Sequence, residues 1–226
     1  MANILTAETV KEYGSNAGAC VVGIAVSKDF GAAPDGYKPS DLLEGCVSVI
    51  VLGAPSPREA LNNSEDYTAS RNEMLGKMTD ISKEVAKRIK KDGYNTKAIS
   101  ASGGKFVNGV TYGHMSLKHA AELAGLGFIG KNYLLINPRY GNMLWLSAVL
   151  TDAELAPDKK IGSNACGSCG ICVESCPSRA LDDINNFGKK DCAKFFSMAN
   201  KKFEIRCYKC REVCPLCFGY AAPDVK

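Results

Sequence analysis

The sequence predicts an α/β layered domain followed by a small module built on cysteines, and three observations predict it. Strand-like and helix-like patterns alternate through the residues before Thr151. Nine of the eleven cysteines crowd between Cys166 and Cys217. Between the two regions lies a polar stretch with a proline, Ala156-Pro157-Asp158-Lys159-Lys160, which suits a boundary. A chain of 226 residues has room for one full-sized core and a smaller unit, so the expected domains are 1–158 and 159–226.

Taken in order, residues 19–26 and 46–52 are short, β-branched and apolar, the pattern of interior strands. Between them Gly31, Pro34, Gly36 and Pro39 predict a loop without regular structure. Over residues 66–91 the apolar positions Met74, Met78, Ile81, Val85 and Ile89 recur at steps of three and four, which predicts an amphipathic helix stopped by Asp92-Gly93. A second helix is expected over 116–126, with Leu117, Ala120, Ala121 and Ala124 inward. Residues 133–136 and 143–150 read as a hairpin pair around the turn 138–142. Cys20 and Cys46, inside the apolar strands, are expected to be buried small hydrophobes.

Composition narrows the function classes. Hydrophobic residues at 46% and charged residues at 23% exclude a disordered or fibrous chain. No apolar run reaches the roughly 18 to 20 residues of a membrane span, and the start MANILTAETVKEYG lacks the basic-then-apolar pattern of a secretion signal, so a cytoplasmic protein off the membrane is expected. The net charge of +4 comes from residues 158–226, with twelve Lys or Arg against eight Asp or Glu; the rest balances at sixteen each. The lysines form no run with interleaved aromatics, which sets nucleic acid aside as a partner.

Cys166, Cys169, Cys172 and Cys176, followed by Pro177, spell C-x2-C-x2-C-x3-C-P, the run of bacterial two-cluster ferredoxins. Three thiolates at steps of three wrap three corners of one 4Fe-4S cube, and the cysteine before proline serves a second cube. Downstream, Cys207, Cys210 and Cys214 with Pro215 repeat the pattern in altered form, with Val213 where a regular repeat has cysteine. The lone Cys192 supplies the missing ligand. One cluster is then expected on Cys166, Cys169, Cys172 and Cys214, and the other on Cys176, Cys192, Cys207 and Cys210. Cys217 is the alternative to Cys214, and Pro215 favours Cys214. Zinc on Cys207, Cys210, Cys214 and Cys217 leaves the three-step run unexplained. Two such cubes make an electron relay, to be fed by a low-potential donor of the ferredoxin or flavodoxin type.

Residues 118–158, KHAAELAGLGFIGKNYLLINPRYGNMLWLSAVLTDAELAPD, resemble the epoxyqueuosine reductases, cobalamin-dependent enzymes related to the reductive dehalogenases. The lone cysteine ahead of C-x2-C-x3-CP is similar as well, with weaker echoes in LLEGCVSVIVLGAP and DYTASRNEML. The resemblance implies a nitroreductase-like, cobalamin-binding type of α/β (α+β) domain followed by a ferredoxin-like domain, with electrons passed to a corrinoid that reduces a small substrate. The alternative is a ferredoxin-like donor that reduces or reactivates a corrinoid partner enzyme. Gly125, Gly127 and Gly130 then allow either close approach to a large planar cofactor or a helix stop and turn, and Lys131 and Asn132 are candidates for corrin amides or phosphate. His114 and His119 are either a lower cobalt ligand or surface and capping residues. Where the reductases carry a proton-donating aspartate this chain has Thr111, so Tyr112 beside it becomes the candidate acid, with a core tyrosine as the alternative. The helical-repeat extension that those enzymes place after the clusters is not in this sequence, an expectation against transfer RNA as substrate.

Overall fold

The computed structural model describes residues 4–108, 110–162, 165–183, 186–199 and 202–220. In chain order the elements are α1 (Ala7–Asn16), β1 (Val21–Val26), α2 (Pro39–Leu42), β2 (Ser48–Pro55), α3 (Ser64–Lys91), β3 (Thr96–Ile99), β4 (Lys105–Val107), β5 (Val110–Tyr112), α4 (Leu117–Leu123), β6 (Phe128–Ile129), β7 (Leu135–Ile136) and β8 (Leu144–Thr151). After them come α5 (Ile171–Glu174), α6 (Lys189–Ala193), β9 (Phe196–Ala199), β10 (Lys202–Ile205) and α7 (Lys209–Glu212). The fold is mixed α/β, and none of its helices is long and apolar enough to cross a membrane.

A four-stranded antiparallel sheet in the order β1-β2-β8-β3 carries the core. β2 is buried along all but its last residue because both of its faces are covered. Ile50 and Leu52 meet Val10 of α1 and Met74, Met78, Ile81, Val85 and Ile89 of α3 on one side. Val49 and Val51, one residue out of phase, meet Ala120 and Ala121 of α4 on the other. The apolar stripe expected on α3 is the stripe that is buried. The helix starts where the Asn63 side chain accepts the Asp66 N–H at 2.9 Å, and Gly93, at φ +96°, follows its end.

Several expectations are corrected. The turn at 137–141 does close, with Asn137 and Gly141 exchanging two backbone hydrogen bonds of 2.8 Å, but its flanks do not pair with each other. β7 pairs with β6, while β8 enters the sheet between β2 and β3. An apolar strand of eight residues buries more surface with a neighbour on each side than in a two-stranded ribbon. A single turn of helix, α2, opens at Pro39 inside the expected loop, where proline loses no hydrogen bond. The β4–β5 hairpin was not anticipated. Cys20 lies just outside β1 and is exposed, and Cys46 is half-buried, its thiol pushed up chiefly by burial.

The boundary residue Asp158 is fastened to β1: its backbone N–H donates to the Ile24 carbonyl at 2.9 Å, and its carboxylate accepts from the Ile24 N–H and from Lys11. Beyond it the cysteine module lies against the N-terminal end of α3. The Ile205 N–H donates to Thr68 Oγ1 at 3.0 Å, and the Tyr67 and Tyr208 rings stack at 4.7 Å. It also caps the turn before β8, where the Asn142 N–H donates to the Cys217 carbonyl and the Tyr220 N–H to that of Pro138.

Candidate metal centre

Helices of only four or five residues carry Cys172 (α5), Cys192 (α6) and Cys210 (α7), and loops carry the other cysteines. Such short pieces bury little apolar surface, so the positions of their sulfurs are set by what the pieces pack against.

Cys172, Cys166, Cys169 and Cys214 form one electrostatic neighbourhood. Burial pushes the Cys172 thiol up to about 11, and the nearby sulfurs of Cys214, Cys166, Cys210 and Cys169 add to the rise. Burial also raises Cys214, with Cys166 and Cys169 adding to it, while the Leu216 N–H and the Asn142 side chain pull it back. The Asn142 side-chain amide is buried and finds no oxygen or nitrogen partner among the described residues; it lies against the Cys214 sulfur.

The second neighbourhood holds Cys176, Cys192, Cys207 and Cys210, and all four line one cavity of about 330 Å³. Burial raises Cys192, with Cys207 and Cys176 adding to it. Burial likewise takes Cys210 up to about 11, opposed by the Arg211 guanidinium and reinforced by Cys192, Cys207 and Cys176. Cys176 is held below the ordinary thiol value. Its burial acts upward, but the Ser178 hydroxyl and the N–H groups of Ser178, Ala180 and Leu181 all point hydrogen bonds at its sulfur and prevail. Cys210 is near enough to Cys172 for its charge to be felt there, so the two groups lie side by side.

Cys217 packs with Ala60, Met143 and Phe218 in a small apolar cluster. Burial pushes its thiol up to about 11, with Arg211, Cys214, Arg58 and Cys210 around it. Among the described residues no group of three or more Cys, His, Asp or Glu converges as the ligands of one metal ion do. A tetrahedral zinc with Zn–S bonds of about 2.3 Å draws its sulfurs to about 4 Å from one another, whereas a cube with iron at its corners holds them farther apart.

The donor set and its surroundings fit two thiolate-bound clusters. Arg211 is 9% exposed, donates from Nε to the Tyr67 hydroxyl at 2.9 Å, and leaves Nη1 buried without a partner among the described residues. A buried guanidinium with no carboxylate is costly unless an anion lies beside it. The cavity it lines is walled by four thiols, and a cluster on those thiolates would supply that anion.

The residues carried over for a corrinoid are used otherwise. Gly125, at φ +70°, is pressed so close to the Lys159 carbonyl that a Cβ would overlap it, and Gly127, at φ +154°, meets the Ile136 carbonyl in the same way. A Cβ on Gly130 would run into Ile136. The close approach is to the chain's own backbone and side chains. Lys131 Nζ donates to the carbonyls of Gly167 and Cys169, both at 2.8 Å, and buried Asn132 donates from Nδ2 to the Cys210 carbonyl at 3.2 Å. These two residues fasten both cysteine groups to the α/β part.

Tyr112 is neither core nor in the cavity: it is 41% exposed on the hairpin, with Lys189 Nζ 4.1 Å from its ring centroid and the same Nζ bonded to the Thr111 carbonyl at 2.6 Å. His119 pairs through Nδ1 with Ser116 Oγ at 2.6 Å at the start of α4, and both His119 and His114 are exposed. Sequence reasoning missed Arg211, Asn142 and Lys118. Only the adjacency of Arg211 to Cys210 marked any of them in advance.

No protein-family model matches the chain. Epoxyqueuosine reductase from Staphylococcus aureus is 32% identical over 117 residues, which is 47% of this chain and 30% of that protein. Among solved structures, an epoxyqueuosine reductase with a tRNA-Tyr epoxyqueuosine-modified stem loop superposes at a TM-score of 0.64 and 21% identity, covering 96% of this chain and 66% of that one. A reductive dehalogenase described in terms of B12-dependent dehalogenation gives a TM-score of 0.69 at 21% identity, covering 92% of this chain and 31% of that one. The expectation against nucleic acid therefore does not hold across the fold, since one of its members is solved with RNA. The matched stretch spans less than a third of the curated relative's length. By sequence the chain is a relative of the epoxyqueuosine reductases, and its mixed α/β fold is shared with them and with the reductive dehalogenases.

Proposed function

We propose that the chain is an iron–sulfur oxidoreductase in which Cys166, Cys169, Cys172 and Cys214 hold one 4Fe-4S cluster and Cys176, Cys192, Cys207 and Cys210 hold a second. When bound, the two clusters accept and release electrons one at a time, chemistry that no side chain here supplies. The observation that carries the reading is the cavity walled by four cysteines, with the unpaired buried guanidinium of Arg211 beside them. The chain's own groups do the holding. N–H groups of Ser178, Ala180 and Leu181 favour the Cys176 thiolate, the Asn142 amide favours that of Cys214, and Lys131 and Asn132 fix both loops to the α/β part. The donor is a low-potential ferredoxin or flavodoxin type of protein, met in the cytoplasm. The test is anaerobic reduction with counting of electron spins: two interacting spins per chain are expected, and a spinless or single-cluster signal contradicts the assignment.

Beyond the second cluster two readings differ. In one, the α/β part holds a corrinoid that reduces a small substrate; in the other, the electron leaves to a corrinoid-bearing partner. The inward engagement of Gly125, Gly127, Gly130, Lys131 and Asn132 favours the second. Titrating cobalamin while watching for the change from base-on to base-off separates them, and the second reading predicts no change.

A further inference from the structure

The two cysteine groups sit in unlike electrostatic surroundings. The cavity of the second group is lined by four cationic side chains, Arg71, Lys118, Lys209 and Arg211, and by no Asp or Glu. Lys209 is spent on Glu212 at 3.0 Å. Arg211 is buried, 5.5 Å over the Trp145 ring, with Nη1 unpartnered. Lys118, half-buried on α4, donates to the Tyr133 carbonyl at 2.7 Å and lies over the Tyr133 and Phe187 rings at 5.1 and 5.6 Å. Neither Arg211 nor Lys118 has a carboxylate partner among the described residues. Around the first group, Lys131 faces solvent in part and donates to the carbonyls of Gly167 and Cys169, while Arg58 and Arg211 lie around Cys217, which packs with Cys214 but is not one of the four proposed ligands. A carboxylate also stands by its loop, since Glu174 Oε1 lies 3.0 Å from where a Gly170 Cβ would be. Buried charges act at low dielectric and are felt strongly, whereas charges at the surface are screened.

Each added electron makes a cluster more negative, so a desolvated cation beside it favours the reduced form. Resting on the two-cluster reading above, we propose that Arg211 and Lys118 are positioning residues that hold the potential of the second cluster above that of the first. The electron that the first cluster receives from the external donor then passes to the second, the first being reoxidised as the second is reduced.

The experiment is a potentiometric titration of the anaerobic, iron-loaded protein followed by electron paramagnetic resonance, on the wild type and on Arg211→Met, Arg211→Lys and Lys118→Met, with iron and sulfide assayed in each. Two midpoints are expected in the wild type. Arg211→Met should lower the higher one by about tenfold in the reduced-to-oxidised ratio at fixed poise, about 59 mV for a one-electron couple, and leave the lower one in place. Lys118→Met should move it the same way by less, and Arg211→Lys should leave it near the wild-type value. Should Arg211→Met lose iron, Lys118→Met carries the test alone, because Lys118 is carried by α4, an element that holds no cysteine. Iron-loaded variants whose higher midpoint stays put, or whose two midpoints fall together, overturn the inference and leave the cluster reading standing. A wild-type protein without iron removes the reading itself.

Discussion

The sheet and the cysteine module solve the problem of folding in opposite ways. In the sheet, β2 and β8 are covered on both faces by apolar side chains, and the hydrogen bonds of the middle strands are made within the sheet. In the module, helices of four or five residues surround sulfurs whose thiols burial drives upward, next to an arginine with an unpaired nitrogen. The first region carries its stability in its own side chains. On the two-cluster proposal, the second is arranged around charge that bound metal would supply, which would tie its order to that metal.

Removing the metal should break the comparison most sharply. Cys210→Ser should cost about half of the iron per chain, since one of two clusters loses a ligand. Hydrogen exchange should then quicken in residues 171–183 and 203–220 while the amides of β2 and β8 stay protected; equal loosening of both regions would show that they are not independent. Next in size, Met78→Ala, which empties a fully buried site between α3 and the sheet, should cost about 2 to 5 kcal/mol in denaturant unfolding and leave iron content unchanged. Lys131→Ala removes the two hydrogen bonds to the Gly167 and Cys169 carbonyls, a loss of about 1 to 3 kcal/mol. It should appear as faster removal of iron by a chelator, with little change in the unfolding of the sheet.

The smallest effect concerns pH. Burial, with the Lys189 charge added, brings the Lys118 ammonium down to about 8 from an ordinary 10.5. Between those values the unfolded chain binds a proton that the folded chain does not, so the metal-free protein should grow more stable as pH rises from about 8 toward 10.5. Lys118→Met should remove this slope, and a slope that persists in the variant would assign it to another group.

Periodicity made the interior strands and α3 legible in the sequence, because an apolar stripe at steps of three and four has few other uses than burial. The place of β8 was not legible. The turn at 137–141 is real, but which strands a buried strand joins is decided by tertiary packing and not by its nearest turn. The β4–β5 hairpin did leave a signal, the Asn108-Gly109 pair between Val107 and Val110, a strong hairpin dipeptide that went unused. At the site, cysteine spacing predicts two groups of four sulfurs, and in the structure Cys176, Cys192, Cys207 and Cys210 line one cavity. The uses of Gly125, Gly127, Lys131 and Asn132 were hidden. A glycine that accommodates a cofactor and one that accommodates a carbonyl look alike until the neighbouring backbone is placed. Arg211 was likewise invisible as an unpaired cation until its burial and its lack of a carboxylate could be seen together.

The central claim is most directly tested by counting iron and acid-labile sulfide in protein purified under nitrogen. About eight of each per chain is predicted. A colourless preparation free of iron, or one carrying only zinc, would contradict it.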